Sequence, residues 1–297
     1  MAANKQLRRP GMDQAVSRIG CVSYLNAKPL IDGLIVDKTG KSGPLPRPQI
    51  QYAVPSALLS LLESGSVDLA LCSVIDYYRS SIPLQIIPVG GIGSDGETLT
   101  VRLFSRIPLD QITQVYADCD SHTSIALLRI LMRHLYHRDL QIIRLQTLEA
   151  TARYTNSDWP DVTLLIGDKV MNRAPPDSQF LYQLDLGAAW KKWTGRPFVF
   201  AIWMSRCGAE LGDIPELLQQ QRERNTKRID SIAQRHATTH GWPIELAQRY
   251  LCQIMKYETG PTELEAIEHF ARHVAELGLI AGVDQPSPLR IWTPPDQ

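Results

Sequence analysis

Three short runs place hydroxyl, amide and carboxylate side chains where a strand is expected to give way to a helix. Ser121-His122-Thr123-Ser124 gathers three hydroxyls and an imidazole. At such a junction unpaired backbone N–H groups, side-chain donors and the helix dipole converge on one spot, which favours a carboxylate or phosphate. N-capping alone explains the same run, because one of these residues must act as the cap. Ser23-Tyr24-Leu25-Asn26-Ala27-Lys28-Pro29-Leu30 is a second concentration of donors behind the first expected strand. Strand-end loops carry ligand groups, and the alternative is a turn capped by Asn26 with Pro29 in the first turn of a helix. Gly167-Asp168 puts a carboxylate at a third strand end, as a ligand group or a helix cap.

Other patterns lack the context their chemistry needs. Gly91-x-Gly93-x-x-Gly96 fits the dinucleotide fingerprint in letters, but a strand over Thr98–Ser105, not a helix, is expected after it. It reads as a glycine-rich turn between strands. His236/His240 and His269/His273 have the helical spacing for a shared metal, yet neither is an H-E-x-x-H and no cysteine or carboxylate cluster completes them. The basic run Arg222, Arg224, Lys227 and Arg228 is interrupted by acids and has no interleaved aromatics, so it reads as a solvated face. No metal or cofactor is expected.

Composition narrows the class. The 297 residues balance 31 basic against 31 acidic groups and are 44% hydrophobic, which excludes a disordered chain and removes any bulk attraction to nucleic acid or anionic membrane. Five dispersed cysteines with no C-x-x-C read as buried thiols of a reducing compartment. The first seventeen residues contain no apolar h-region, and the apolar stretch 57–75 is broken by Glu63 and Asp68, so neither export signal nor membrane span is expected.

The elements that must position these residues alternate between strand and helix. Ile19–Leu25, Gln49–Val54, the helix Ser56–Ser64 and the strand Val67–Ser73 make a β-α-β unit, and a second series starts after Thr98 with a helix over Ser121–His137. From Ile214 onward only helices are expected, roughly Ile214–Thr239, Ile244–Glu258 and Thr262–Leu277. The economical topology is α/β with two lobes built on mostly parallel sheets. It has a flexible tail over 1–17, lobe one from 18–97 plus the returning helices of 204–297, and lobe two over 98–203. Ligands of such folds sit in the inter-lobe cleft at strand ends.

Val22–Leu30 (VSYLNAKPL), Gly93–Ser105 (GSDGETLTVRLFS), Ser121–Leu131 (SHTSIALLRIL), Leu165–Lys169 (LIGDK) and Asp185–Trp203 (DLGAAWKKWTGRPFVFAIW) occur in that order. Together they resemble the chorismate dehydratase family of the futalosine route to menaquinone, over nearly the whole chain. The resemblance implies a periplasmic-binding-protein-like fold of type II with C-terminal helices packed on lobe one. It also implies a cofactor-independent carbon–oxygen lyase (hydro-lyase) of the cytoplasm, acting on a small dianionic substrate. It assigns catalytic roles to Asn26 and Thr100, and substrate binding to Ser23, Tyr24, Ser73, Asp95, Ser121, His122, Thr123, Ser124 and Asp168. The family usually has arginine where His122 stands and commonly serine where Thr100 stands. Loss of water from chorismate builds negative charge on the ring carboxylate, which demands donors that tighten as that charge develops. The base is either a side chain, with Asp168, Asp95 and His122 the candidates by type, or, as the resemblance implies, the substrate's own enolpyruvyl carboxylate. Two rival readings share the fold: a protein that only captures a small anion, and the related 1,4-dihydroxy-6-naphthoate synthase, whose S-P-C-P-N-D-type motif is replaced here by SYLNAKPL.

Overall fold

A computed structural model of the chain describes residues 18–34, 48–145, 159–280, 282 and 284–294. The expected tail over 1–17 and most of the Pro-rich loop 43–48 lie outside the described residues. Eleven strands are present among the described residues: β1 (Arg18–Cys21), β2 (Gln49–Tyr52), β3 (Leu69–Ser73), β4 (Leu84–Ser94), β5 (Val101–Ser105), β6 (Gln114–Asp118), β7 (Gln141–Leu145), β8 (Val162–Ile166), β9 (Tyr182–Asp185), β10 (Phe198–Arg206) and β11 (Met255–Lys256). They form two sheets, ordered β11-β4-β10-β3-β1-β2 and β7-β6-β8-β5-β9. The all-buried runs of β3 and β8, LALCS and VTLLI, suit interior strands covered on both faces.

The sheets are mixed rather than mostly parallel, and the reason lies in the two crossings between lobes. β1 runs parallel to β2 and β3, and β6 runs parallel to β7 and β8. The first strand after each crossing is inserted antiparallel: β5 between β8 and β9, and β10 between β3 and β4. Phe198–Trp203, assigned to lobe two from the sequence, therefore belongs to the sheet of lobe one. The glycine-rich segment is not a turn. β4 continues through Gly90–Gly93 to Ser94, and a Cβ on Gly91 or Gly93 would lie 2.7 Å from the Ala201 carbonyl oxygen or 2.8 Å from that of Phe198. Those glycines let the bulged β4–β10 ladder close.

Behind the first sheet, the expected long helix from Ile214 is broken into Ile214–Thr226, Ile229–His236 and a 3₁₀ turn Thr238–His240. The next expected helix, 244–258, becomes an α-helix Ile244–Arg249, a π-turn Tyr250–Ile254 and β11. In the first turn of the last helix, Pro261–Glu276, Glu263 accepts a bond from the Gly260 amide at 2.9 Å. It packs on β10 and also on the lobe-two helix His122–Tyr136, so it braces both lobes. Trp190, fully buried, stands edge-on to Phe198 and Phe270 at 5.2 and 6.2 Å and anchors the second crossing between them. Of the cysteines, Cys21 and Cys72 are core, whereas Cys207 and Cys252 are exposed.

The first crossing is held by one carboxylate. Asp185 accepts bonds from the amides of Thr98 (3.0 Å), Leu99 (2.8 Å) and Ala188 (3.0 Å) and from the Thr98 hydroxyl (3.1 Å). It caps the helix Leu186–Thr194 and fixes Leu99 at φ 58°, left-handed backbone rare for a leucine. β5 accordingly starts at Val101, and Thr98–Thr100 form the bend before it. Gly187 makes room: a Cβ there would overlap Thr98 Cγ2 and the Gly96 carbonyl oxygen and lie 2.9 Å from Ser94 Oγ. Gly187→Ala is therefore expected to lower unfolding free energy by about 1–3 kcal/mol, the usual cost of overpacking. Urea denaturation measures this, and wild-type stability would show that the crossing is not packed as described.

Candidate active site between the lobes

A cavity opens between the lobes at the strand ends. Val22, Ile92 and Phe200 wall it on one side, Val101 and Ile166 on the other. Its polar lining comes from Tyr24, Asn26 and Ser73 of lobe one, Thr98 and Thr100 at the crossing, and Ser121 and Ser124 at the start of the helix His122–Tyr136. No acid, base or imidazole stands among the described lining residues. An anion there is met by neutral donors and a helix N-terminus, not by an ion pair.

Asn26 and Thr100 meet across the cleft through a third residue. Asn26 Nδ2 donates to the Tyr250 hydroxyl at 3.2 Å, and that hydroxyl lies 2.8 Å from Thr100 Oγ1. Asn26 Oδ1 and the Tyr24 hydroxyl are buried without a protein partner. Unsatisfied buried polar atoms on residues that line a cavity mark where a ligand's groups belong. Burial, reinforced by the carboxylates of Asp118, Asp120 and Asp168, pushes the Tyr24 hydroxyl far up, so it is a neutral donor. Ser121 caps its helix by accepting from the Ser124 amide at 3.2 Å, and Ser124 Oγ donates to Ser121 Oγ at 3.0 Å. Capping and cavity lining are both realised there.

Five of the residues marked from the sequence do other work. Asp168 reaches from lobe two into lobe one, where it accepts from the Leu25 amide at 3.1 Å, His240 Nδ1 at 2.8 Å and Trp242 Nε1 at 3.0 Å. It neither lines the cavity nor caps the helix that follows it. His122 Nδ1 is 2.8 Å from Asp76 Oδ1, a fully buried carboxylate of lobe one, and Thr123 Oγ1 accepts from the Ile75 amide at 3.2 Å. The side chains of His122 and Thr123 thus clamp the lobes. Ser23 is exposed, and Asp95 pairs with Lys191 on the surface. The acids before the helix are neutralised locally, because Lys169 pairs with Asp118 and, at 2.7 Å, with Asp120; burial still raises the Asp118 carboxyl against the pull of Lys169.

Comparison with known proteins decides the family. The model of a menaquinone-biosynthesis family matches residues 17–276. The chain belongs to this family. A curated relative, chorismate dehydratase of Thermus thermophilus, is 27% identical over 231 residues, covering 73% of this chain and 83% of that protein. Among solved structures, a protein of Archaeoglobus fulgidus superposes with a TM-score of 0.71 at 13% identity, covering 91% of this chain and all of the other. The periplasmic aliphatic sulphonate binding protein of Escherichia coli superposes with a TM-score of 0.61 at 15% identity, with 95% of this chain and 93% of the other covered. These likenesses establish the two-lobed periplasmic-binding-protein-like fold. Among the described residues, no helix is long and apolar enough to cross a membrane.

In this member of the menaquinone-biosynthesis family the sequence reading missed Thr98, Phe200 and above all Tyr250. Thr98 lies in a segment read as plain strand and Phe200 in an apolar run, where nothing marks which residue turns to the cleft. Tyr250 falls in an apparently regular helical period, and no spacing announces a π-turn. His236 and His240 are separated in use, on Asp32 and Asp168, whereas His269 and His273 stay in edge contact at 4.8 Å and His273 also meets His134 and Glu276, a carboxylate the sequence reading had not joined to that pair. The clamp makes a specific prediction. His122→Ala leaves the buried Asp76 carboxylate without its close partner and should reduce unfolding free energy by about 1–3 kcal/mol. Equal stability of the variant and wild type in urea would remove His122 from the clamp.

Proposed function

We propose that the protein removes water from chorismate to give 3-[(1-carboxyvinyl)oxy]benzoate, as a hydro-lyase of menaquinone biosynthesis. The observation that carries this reading is the network in which Asn26 and Thr100, on opposite lobes, are joined through Tyr250 beside a cavity lined by neutral donors. Family membership and the dehydratase relative support it. A mixed apolar and hydroxyl lining suits one small organic acid. Its two carboxylates find the hydroxyls of Tyr24, Ser73, Ser121 and Ser124 and the first amides of the helix His122–Tyr136.

The reaction takes a proton from the ring carbon that bears the enol ether. The C–H electron pair enters the ring as charge delocalises onto the ring carboxylate, the neighbouring C–O bond breaks, and the departing hydroxide takes the abstracted proton back from the base and leaves as water. Donors fixed at the carboxylate strengthen as that charge grows and need no reorganisation. For the base, the described lining residues offer no carboxylate or imidazole, and Tyr24 keeps its proton. The enolpyruvyl carboxylate of the substrate, held close by, takes the proton instead, and positioning supplies the rate. Asn26 orients the leaving hydroxyl. With Nδ2 held on the Tyr250 oxygen, Oδ1 is left without a protein partner at the cavity and accepts from the substrate hydroxyl. Thr100 bonds beside the same centre.

Purified protein, desalted and treated with EDTA, should convert chorismate to the benzoate ether, identified by mass spectrometry and NMR. Asn26→Asp places a negative charge against a dianion and should lower kcat/KM at least ~100-fold while circular dichroism stays at wild type. Unchanged chorismate would overturn the reading. Binding without turnover would leave an anion-capture protein, the alternative that the fold also permits.

A further inference from the structure

Tyr250 is fully buried and opens a π-turn, Tyr250–Ile254, inserted where the helix Ile244–Arg249 gives way to β11. Single π-turns are rare and concentrate at functional sites. The hydroxyl carries both bonds described above, to Asn26 on its own lobe and to Thr100 on the other. Directions follow from donor chemistry. Asn26 Nδ2 can only donate, so the Tyr250 oxygen accepts it. Thr100 Oγ1 can donate to the Thr98 carbonyl oxygen at 3.3 Å, which leaves Tyr250 O–H to donate to Thr100. Burial pushes the Tyr250 hydroxyl well up, so its proton stays in place across neutral pH.

The ring is fixed as firmly as the hydroxyl. It stacks on Trp242 at 4.7 Å between centroids and 21° between planes. Trp242 Nε1 donates to Asp168, the lobe-two carboxylate that also receives the Leu25 amide, one residue before Asn26. One carboxylate therefore holds both ends of the network: the backbone beside Asn26 and the indole under Tyr250.

We propose that Tyr250 is a positioning residue of the reaction, and that Asp168 and Trp242 hold it so that Asn26 and Thr100 are aligned across the cleft. The kinetic part rests on the dehydratase reading. Tyr250 does not line the cavity, so it acts through Asn26 and Thr100 and does not touch substrate. Loss of its hydroxyl frees the amide that the chemistry needs fixed and leaves substrate contacts in place. That predicts an effect on kcat rather than KM.

The test compares wild type with Tyr250→Phe, which keeps the stacked ring, and with Trp242→Phe, which keeps an aromatic under Tyr250 but loses the bond to Asp168. Tyr250→Phe should lower kcat about 10–100-fold with KM within about threefold. Trp242→Phe should lower it in the same sense by less, and it serves as the reporter if Tyr250→Phe folds poorly. A second readout needs no substrate: the Asn26 side-chain NH₂ resonances in ¹⁵N-labelled protein should shift and exchange with solvent faster in both variants. If wild type leaves chorismate untouched while these resonances move, the functional reading fails and the positioning role stands. Wild-type kcat or unmoved Asn26 resonances in Tyr250→Phe would overturn the positioning role, as would a loss carried entirely by KM.

Discussion

The carboxylate of Asp168 is the contact on which the geometry of the site depends. It sits at the end of a lobe-two strand, yet all three donors it receives, from Leu25, His240 and Trp242, belong to lobe one. Hydrogen bonds to a charged group contribute about 1.5–3 kcal/mol each, so a partly buried carboxylate with three of them is a strong local tie between bodies that otherwise meet through a cleft. The tie also has direction. The Leu25 amide precedes Asn26, and the Trp242 ring supports Tyr250, so the carboxylate that ties the lobes also holds both ends of the polar network. Asp76 with His122, and Thr123 with the Ile75 amide, add clamps on another edge of the same cleft.

This division of labour separates what was legible in the sequence from what was not. Tyr24, Asn26, Ser121 and Ser124, from two donor-rich strand-end runs, line the cavity, because backbone geometry brings strand ends there whatever they bind. Ser121 and Ser124 line the cavity while their neighbours His122 and Thr123 turn to lobe one, a choice made by residues 75 and 76, far away in sequence. Asp168 was marked as a carboxylate for ligand or cap, and its real partners lie up to 143 residues away. The boundary at β10 was missed for a related reason: its apolar run suits either sheet, and only pairing with β3 and β4 decides. The reading of Gly90–Gly96 as a turn failed because glycine in a strand can also mean that a neighbouring backbone needs the space.

The cavity's electrostatics fit a reaction that moves charge within its substrate. A site built on arginines holds a dianion tightly before reaction as well as during it, which lowers KM without raising kcat. Hydroxyls, an amide and a helix N-terminus bind more gently and are fixed where new charge appears. The strained Leu99 is part of the same construction, since Asp185 holds the crossing bent so that Thr98 and Thr100 both reach the cavity. A fold shared with a sulphonate binding protein carries neutral donors at its strand ends here.

A crystal structure of the protein with 3-[(1-carboxyvinyl)oxy]benzoate tests the central claim most directly. The account predicts the ligand in the cavity, with Asn26, Thr100 and the hydroxyls of Tyr24, Ser121 and Ser124 around it, and Asp168 still bonded to Leu25, His240 and Trp242. Asp168 or His122 turned onto the ligand, with the ties between the lobes broken, would contradict it.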